Sequence, residues 1–151
     1  MKIKSLLLML FFVGLSNNAM ANGNDLAGAE YNFAVNELSN PQFNQAAIIG
    51  QYGSGNNADV IQRGQRQFSE VVQNGAGNRA NIEQSGSYNL AYISQDGVAN
   101  DASIKQDAFG NAALIIQRGS GNKANITQYG TQKSAVVVQN QSQMAIRIIQ
   151  R

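Results

Sequence analysis

Residues 119–130 read GSGNKANITQYG. Within this stretch Ala124, Ile126 and Gln128 stand two apart, preceded by Asn122 and bounded by glycines. A spacing of two puts all three side chains on one face of a β-strand; no helix has that period. The phrase recurs at 75–86 (GAGNRANIEQSG) and 53–64 (GSGNNADVIQRG), with a weaker copy at 97–108 (GVANDASIKQDA). The recurrence interval of 22 residues divides the chain into copies at 43–64, 65–86, 87–108, 109–130 and a slightly short 131–151.

Numbering positions from 1 within each copy, position 9 is Gln51, Gln73, Gln95, Gln117 and Gln139, and position 20 is Gln62, Gln84, Gln106, Gln128 and Gln150. Aliphatic residues hold position 7 (Ile49, Val71, Ile93, Ile115, Val137) and position 18 (Val60, Ile82, Ile104, Ile126, Ile148). Small residues hold position 5 (Ala47, Ser69, Ala91, Ala113, Ala135) and position 16 (Ala58, Ala80, Ala102, Ala124), where the last copy has Ile146. The triplet small–aliphatic–glutamine therefore occurs twice per copy, displaced by eleven. Strands are expected over positions 3–9 and 14–20, joined by four-residue glycine-rich turns.

One strand–turn–strand unit cannot bury a face alone. Stacked on its own copies about 4.8 Å apart, it can. Buried glutamine or asparagine would cost about 1–3 kcal/mol if unsatisfied. An amide carries both donor and acceptor, so an identical residue above and below satisfies it. The expected fold is all-β: an amyloid-like β-solenoid with two strands per 22-residue coil and five coils. Its expected stacking ladders are the ten glutamines above and the position-14 asparagines Asn56, Asn78, Asn100 and Asn122.

Composition narrows the function. Lys2 and Lys4 precede an apolar run at 6–15, and Ala19-Met20-Ala21 offers a small-x-small cleavage site, so residues 1–21 read as a secretory signal peptide. Residues 22–42 are non-repetitive. Cysteine, histidine and tryptophan are absent, so an exported chain must hold together without disulfides. Asp59, Glu70, Glu83 and Asp101 fall in outward positions, and Asp96 and Asp107 in the turns. Dispersed acids without histidine or cysteine do not build a catalytic constellation, and neither an enzyme nor a cofactor or metal site is expected. No copy has the G-G-x-G-x-D of a calcium-binding repeat. The outward positions vary too much for an ice- or polysaccharide-binding solenoid, although a ligand-binding solenoid stays open as a lesser alternative.

The last two copies depart from the rest. Leu114 and Ile116 point outward from a strand whose inward residues, Ala113 and Ile115, are also apolar; Val136 and Val138 do the same in copy five. Such strands, free of acids, have an aggregation-prone profile and are candidate templating strands. In copy five Gln141 replaces the turn glycine, Met144 the asparagine and Lys133 the amide at position 3. That copy reads either as a degenerate cap or, given its apolar residues, as a contact surface. Residues 108–151 contain no acid, and Lys133, Arg147 and Arg151 make their end a candidate attachment point. Five basic residues over that stretch are too unspecific to make nucleic acid the primary partner.

The pattern A-x3-Q-x-G-x2-N-x-A-x3-Q, present from Ala47 to Gln62, Ala91 to Gln106 and Ala113 to Gln128, resembles the curlin repeat; the copy from Ser69 differs in that serine. Curlins build curli, extracellular functional amyloid fibres of Gram-negative bacteria that serve adhesion and the biofilm matrix. The family has a major, fibre-forming subunit, typically with serine at position 3, and a minor one that nucleates it. Position 3 here is Gln45, Gln67, Asn89, Asn111 and Lys133. With the basic fifth copy, this resembles the nucleating kind; a major, fibre-forming subunit is the alternative. The resemblance implies secretion through an outer-membrane channel that reads 22–42, a surface tethering factor, self-association, and templating of the major subunit in the curli fibre, or fimbrium.

Overall fold

The computed structural model describes residues 44–151. The signal-peptide and secretion-segment expectations for 1–21 and 22–42 lie outside the described residues.

Ten strands follow one another: β1 Gln45–Ser54, β2 Asn57–Gln65, β3 Gln67–Ala76, β4 Arg79–Ser87, β5 Leu90–Val98, β6 Asp101–Phe109, β7 Ala112–Ser120, β8 Lys123–Tyr129, β9 Ser134–Gln139 and β10 Ala145–Gln150. Odd strands form one parallel sheet in the order β1-β3-β5-β7-β9; even strands form the other, β10-β8-β6-β4-β2. Each residue pairs with the one 22 positions on, as in Gln51 with Gln73 and Ile104 with Ile126. The chain is the β-solenoid that the repeat implies, two strands to a coil and five coils.

The two sheets enclose a thin core in which Val71, Ile82, Ile93, Ile104, Ile115 and Ile126 are buried among Ala80, Ala91, Ala102, Ala113 and Ala124. The alanines have a specific task. Ser69 at position 5 donates from Oγ to Gln84 Oε1 at 2.7 Å and accepts from Gln62 Nε2 at 2.9 Å, so position 5 faces position 20 across the core. A small residue there leaves space for the long amide opposite. It also explains how copy two tolerates a serine: the amides satisfy its hydroxyl.

The strands are longer than the sequence pattern suggests, and the turns correspondingly tighter. β3 runs through Gly75, and only Gly77 and Asn78 separate it from β4. The expected four-residue turns are instead arcs whose backbones stack as the strands do, so the ladder continues through them. Gly75 shows why: its φ is +114°, and a Cβ there would fall on the carbonyl oxygen of Gly97 in the next coil. Only glycine permits both the conformation and the approach. In the fifth coil, where Gln141 occupies the glycine position, β9 stops at Gln139, and backbone bonding resumes only where Gln143 N–H donates to Ser120 O at 2.8 Å.

Candidate functional site: amide ladders, arc clamps and open ends

The glutamines form two unbroken ladders. In the odd sheet Gln51, Gln73, Gln95 and Gln117 each donate from Nε2 to the Oε1 of the next, ending at Gln139, over 2.7, 2.8, 2.9 and 2.8 Å. In the even sheet Gln62, Gln84, Gln106 and Gln128 do the same, ending at Gln150, over 3.0, 2.8, 2.9 and 2.8 Å. The second amide hydrogen crosses the core to a backbone carbonyl, for example from Gln95 to Arg79 at 2.9 Å and from Gln106 to Leu90 at 2.9 Å. Both donors of each interior amide are thereby used, which makes its full burial tolerable.

The position-14 asparagines work differently from the glutamines, with which the sequence pattern had grouped them. Asn78 Nδ2 donates to Asn74 O at 3.2 Å and to Gly97 O at 3.0 Å, while its Oδ1 accepts the backbone N–H of Asn100 at 3.1 Å. Asn56 likewise reaches Tyr52 O and Gly75 O, and accepts Asn78 N. These side chains clamp an arc to the arc above rather than stacking amide on amide. One direct contact, Asn78 Nδ2 to Asn56 Oδ1 at 3.2 Å, supplements the clamp. Asn122 continues the series by accepting the backbone N–H of Met144.

Position 3, left out of the expected ladders, supplies a second set of clamps at the opposite arc. Gln67 Nε2 donates to Arg63 O and Gly86 O, both at 3.0 Å, and Asn89 Nδ2 to Ser85 O and Ala108 O. The signal was visible as four successive amides at one repeat position, Gln45, Gln67, Asn89 and Asn111. Their role emerges only when the arcs are stacked.

The candidate templating residues lie together on the outer face of the odd sheet, Leu114 beside Val136 and Ile116 beside Val138. Val136 and Val138 are 60% and 47% exposed. β7 pairs on both sides, with β5 and β9, whereas β9 is the last strand of its sheet among the described residues. What β7 presents is a face. Of the basic residues, Lys133 places its Cε, and Arg151 its backbone carbonyl carbon, 3.9 Å from where a Cβ on Gly130 would lie. Arg147 is separate from them, exposed on β10 beside Asn125 of β8.

On the outer face of the even sheet Glu83 bridges three coils, bonded at 3.1 Å to Arg63 below and 3.1 Å to Lys105 above. The hydrogen bond and charge of Lys105, then those of Arg63, hold its carboxyl below the usual value. Among the described residues no cluster of histidine, cysteine and acids could hold a metal ion.

The sequence profile of the curlin associated repeat matches residues 68–97, 75–107 and 97–130. Residues 68–130 are similar to curlin repeats. The chain is 64% identical over 66 residues to the minor curlin subunit of Escherichia coli (strain K12), a match covering 44% of each chain. It is 62% identical over 69 residues to the minor curlin subunit of Salmonella typhimurium, covering 46% of each. The match thus spans less than half the length of these relatives. The regularly spaced residues of the matched segment sort in the structure into core aliphatics, ladder glutamines and arc clamps.

Proposed function

We propose that this chain is a component of extracellular curli fibres, and that it nucleates assembly of a major curlin subunit at the cell surface. The observation that carries the reading is the pair of glutamine ladders running in register to strand edges that, among the described residues, are open at both ends of the solenoid. An unfolded chain with the same code finds a first coil already built. It avoids ordering a nucleus unaided, whose cost is conformational entropy, and adds a favourable stacking step.

Within this reading the outer face formed by Leu114, Ile116, Val136 and Val138 captures the unfolded partner before it pairs. Lys133, Arg147 and Arg151 meet a surface tethering factor, residues 22–42 address the outer-membrane secretion channel, and residues 1–21 direct export. The fibre so founded supports adhesion and the biofilm matrix. The chemistry asked of the chain is templating, not catalysis.

Cross-seeding tests the proposal. A trace of this protein added to an unfolded major curlin subunit should shorten the lag before dye-binding fibres appear. An unchanged lag, with fibres formed by this chain alone, would instead make it a major, fibre-forming subunit.

A further inference from the structure

The ladder and clamp amides that join the coils donate forward; only the supplementary Asn78 Nδ2–Asn56 Oδ1 contact and the surface Lys105–Glu83 pair are directed backward. Gln51, Gln73, Gln95 and Gln117 donate to the glutamine that follows, never to the one before. Asn56, Asn78 and Asn100 donate to Gly75, Gly97 and Gly119 of the following coil, at 3.1, 3.0 and 2.9 Å. The following coil answers with a backbone N–H, as Asn122 N does to Asn100 Oδ1 at 3.1 Å. Each coil therefore grips its successor with the amides at positions 3, 9, 14 and 20, and is itself gripped through its glutamine Oε1 atoms and arc backbone. The cross-core bonds of the ladder amides fix this direction, because a flipped amide would lose both donors at once.

The two ends are consequently unlike. At the last coil the gripping set is Lys133, Gln139, Met144 and Gln150. Lysine has no acceptor, and a thioether is a weak one. Neither can take a successor's N–H as Asn111 and Asn122 take those of Lys133 and Met144, each at 3.0 Å. Position 3 is incompletely satisfied in two coils, at Gln67 Oε1 of the second and Asn111 Nδ2 of the fourth, so the difference between the ends rests chiefly on position 14 and on the missing acceptor of Lys133. The first coil, by contrast, is built to be gripped. Among the described residues no ladder amide donates to Gln51 or Gln62 Oε1, and both arcs of that coil are complete. Ile49 is 47% exposed there, at the position where Val71, Ile93 and Ile115 are fully buried.

We propose that the first coil, β1 and β2, is the end on which a partner chain stacks, and that the fifth coil terminates the stack. The proposal rests on the templating role above and gives it a direction. The partner is a chain of the same 22-residue code whose own last coil keeps glutamine or asparagine at positions 3 and 14. A second copy of this chain is a poor occupant, since it would bring Lys133 and Met144 to those places. Two first coils cannot meet either, because Oε1 would face Oε1. The chain is thus a one-ended seed that starts fibres of another subunit more readily than it extends into its own.

The test uses the full secreted protein as seed and, as incoming chain, a synthetic polypeptide of four tandem copies of residues 65–86. Wild-type seed and Ile146→Asp, which alters the last coil, should shorten the probe's lag equally, by severalfold. Ile49→Asp, which alters the first coil, should shorten it little. Equal seeding by Ile49→Asp and wild type overturns the polarity while leaving the templating role intact. A wild-type seed without effect removes both. The repair variant Lys133→Asn/Gln141→Gly/Met144→Asn provides an independent reading that does not depend on a damaged first coil. It should polymerise by itself severalfold faster than wild type, and unchanged self-assembly would also overturn the proposal.

Discussion

Ala108 stands directly beside Gly86 in the arc ladder, at φ +129°, a conformation in which the other coils place glycine. A Cβ on Gly86 would fall on the carbonyl oxygen of Ala108. Strand pairing with the following coil ends beside Ala108, at Asp107 with Tyr129, and Gly130 N–H reaches Asp107 O only at a long 3.3 Å. The loss of one glycine thus coincides with the point where strand pairing to the last coil stops. An L-residue held at positive φ costs about 1–2 kcal/mol. Ala108→Gly should raise stability by about 1 kcal/mol once the larger unfolded-state entropy of glycine is subtracted. Gly86→Ala should lower it by more than about 2 kcal/mol, since strain and overlap add. Guanidinium denaturation midpoints of the two variants provide the comparison.

Gln117 is fully buried, and its amide links Gln95, Gln139 and the Asp101 carbonyl. Its neighbour Arg118 is exposed. Gln117→Ala leaves a buried amide on each side without its partner and should cost about 2–4 kcal/mol and slow assembly. Arg118→Ala should stay within about 0.5 kcal/mol of wild type. Equal assembly rates for the two would contradict the ladder.

Glu83 lies between two cations, and its carboxyl pKa is lowered in the folded chain. A carboxyl with a depressed folded pKa adds stability above its unfolded pKa, and that contribution disappears as pH falls through the folded value. Stability should therefore decline on the acid side of the carboxylate range, and Glu83→Gln should flatten that decline. The pair is largely solvent-exposed, so the effect is small and weakens with salt. A denaturation series against pH, at low and high ionic strength, measures it.

Leu114 and Val136 are adjacent on the outer face of the odd sheet and touch no ladder amide in their outward positions. Leu114→Asp/Val136→Asp should lengthen the lag of a seeded major subunit by about tenfold if capture on this face contributes about 1.4 kcal/mol to the barrier. Secretion of the doubly substituted chain should be unchanged. An unchanged lag would remove the capture role from this face.

Deleting 131–151 removes β9, β10 and the three basic residues together, while the first four coils keep their ladders. The truncated chain should still be exported and still form dye-binding fibres. It should be lost from the cell surface into the medium. Cell-bound and soluble fractions, compared by immunoblot, decide this; equal retention would exclude the basic end as the tether.

By itself the sequence determined the coil. A period of 22 with alternate small, aliphatic and glutamine positions admits one arrangement in which every buried amide meets its own kind, because identical residues repeat at the strand spacing. From that followed the two parallel sheets, the aliphatic core and the glutamine ladders. The tertiary structure alone decided how the arcs close. Arc stacking depends on backbone carbonyls of neighbouring coils, as at Gly75 and Gly97, and residue identity does not specify their position. It separated the asparagines from the glutamines, since both are amides and only their place on an arc or a strand makes one a clamp and the other a rung. It also showed that β7 is sealed on both sides and that the glutamine ladder bonds share one direction. Direction belongs to which atom of each amide faces which neighbour, and a string of identical glutamines is silent on that.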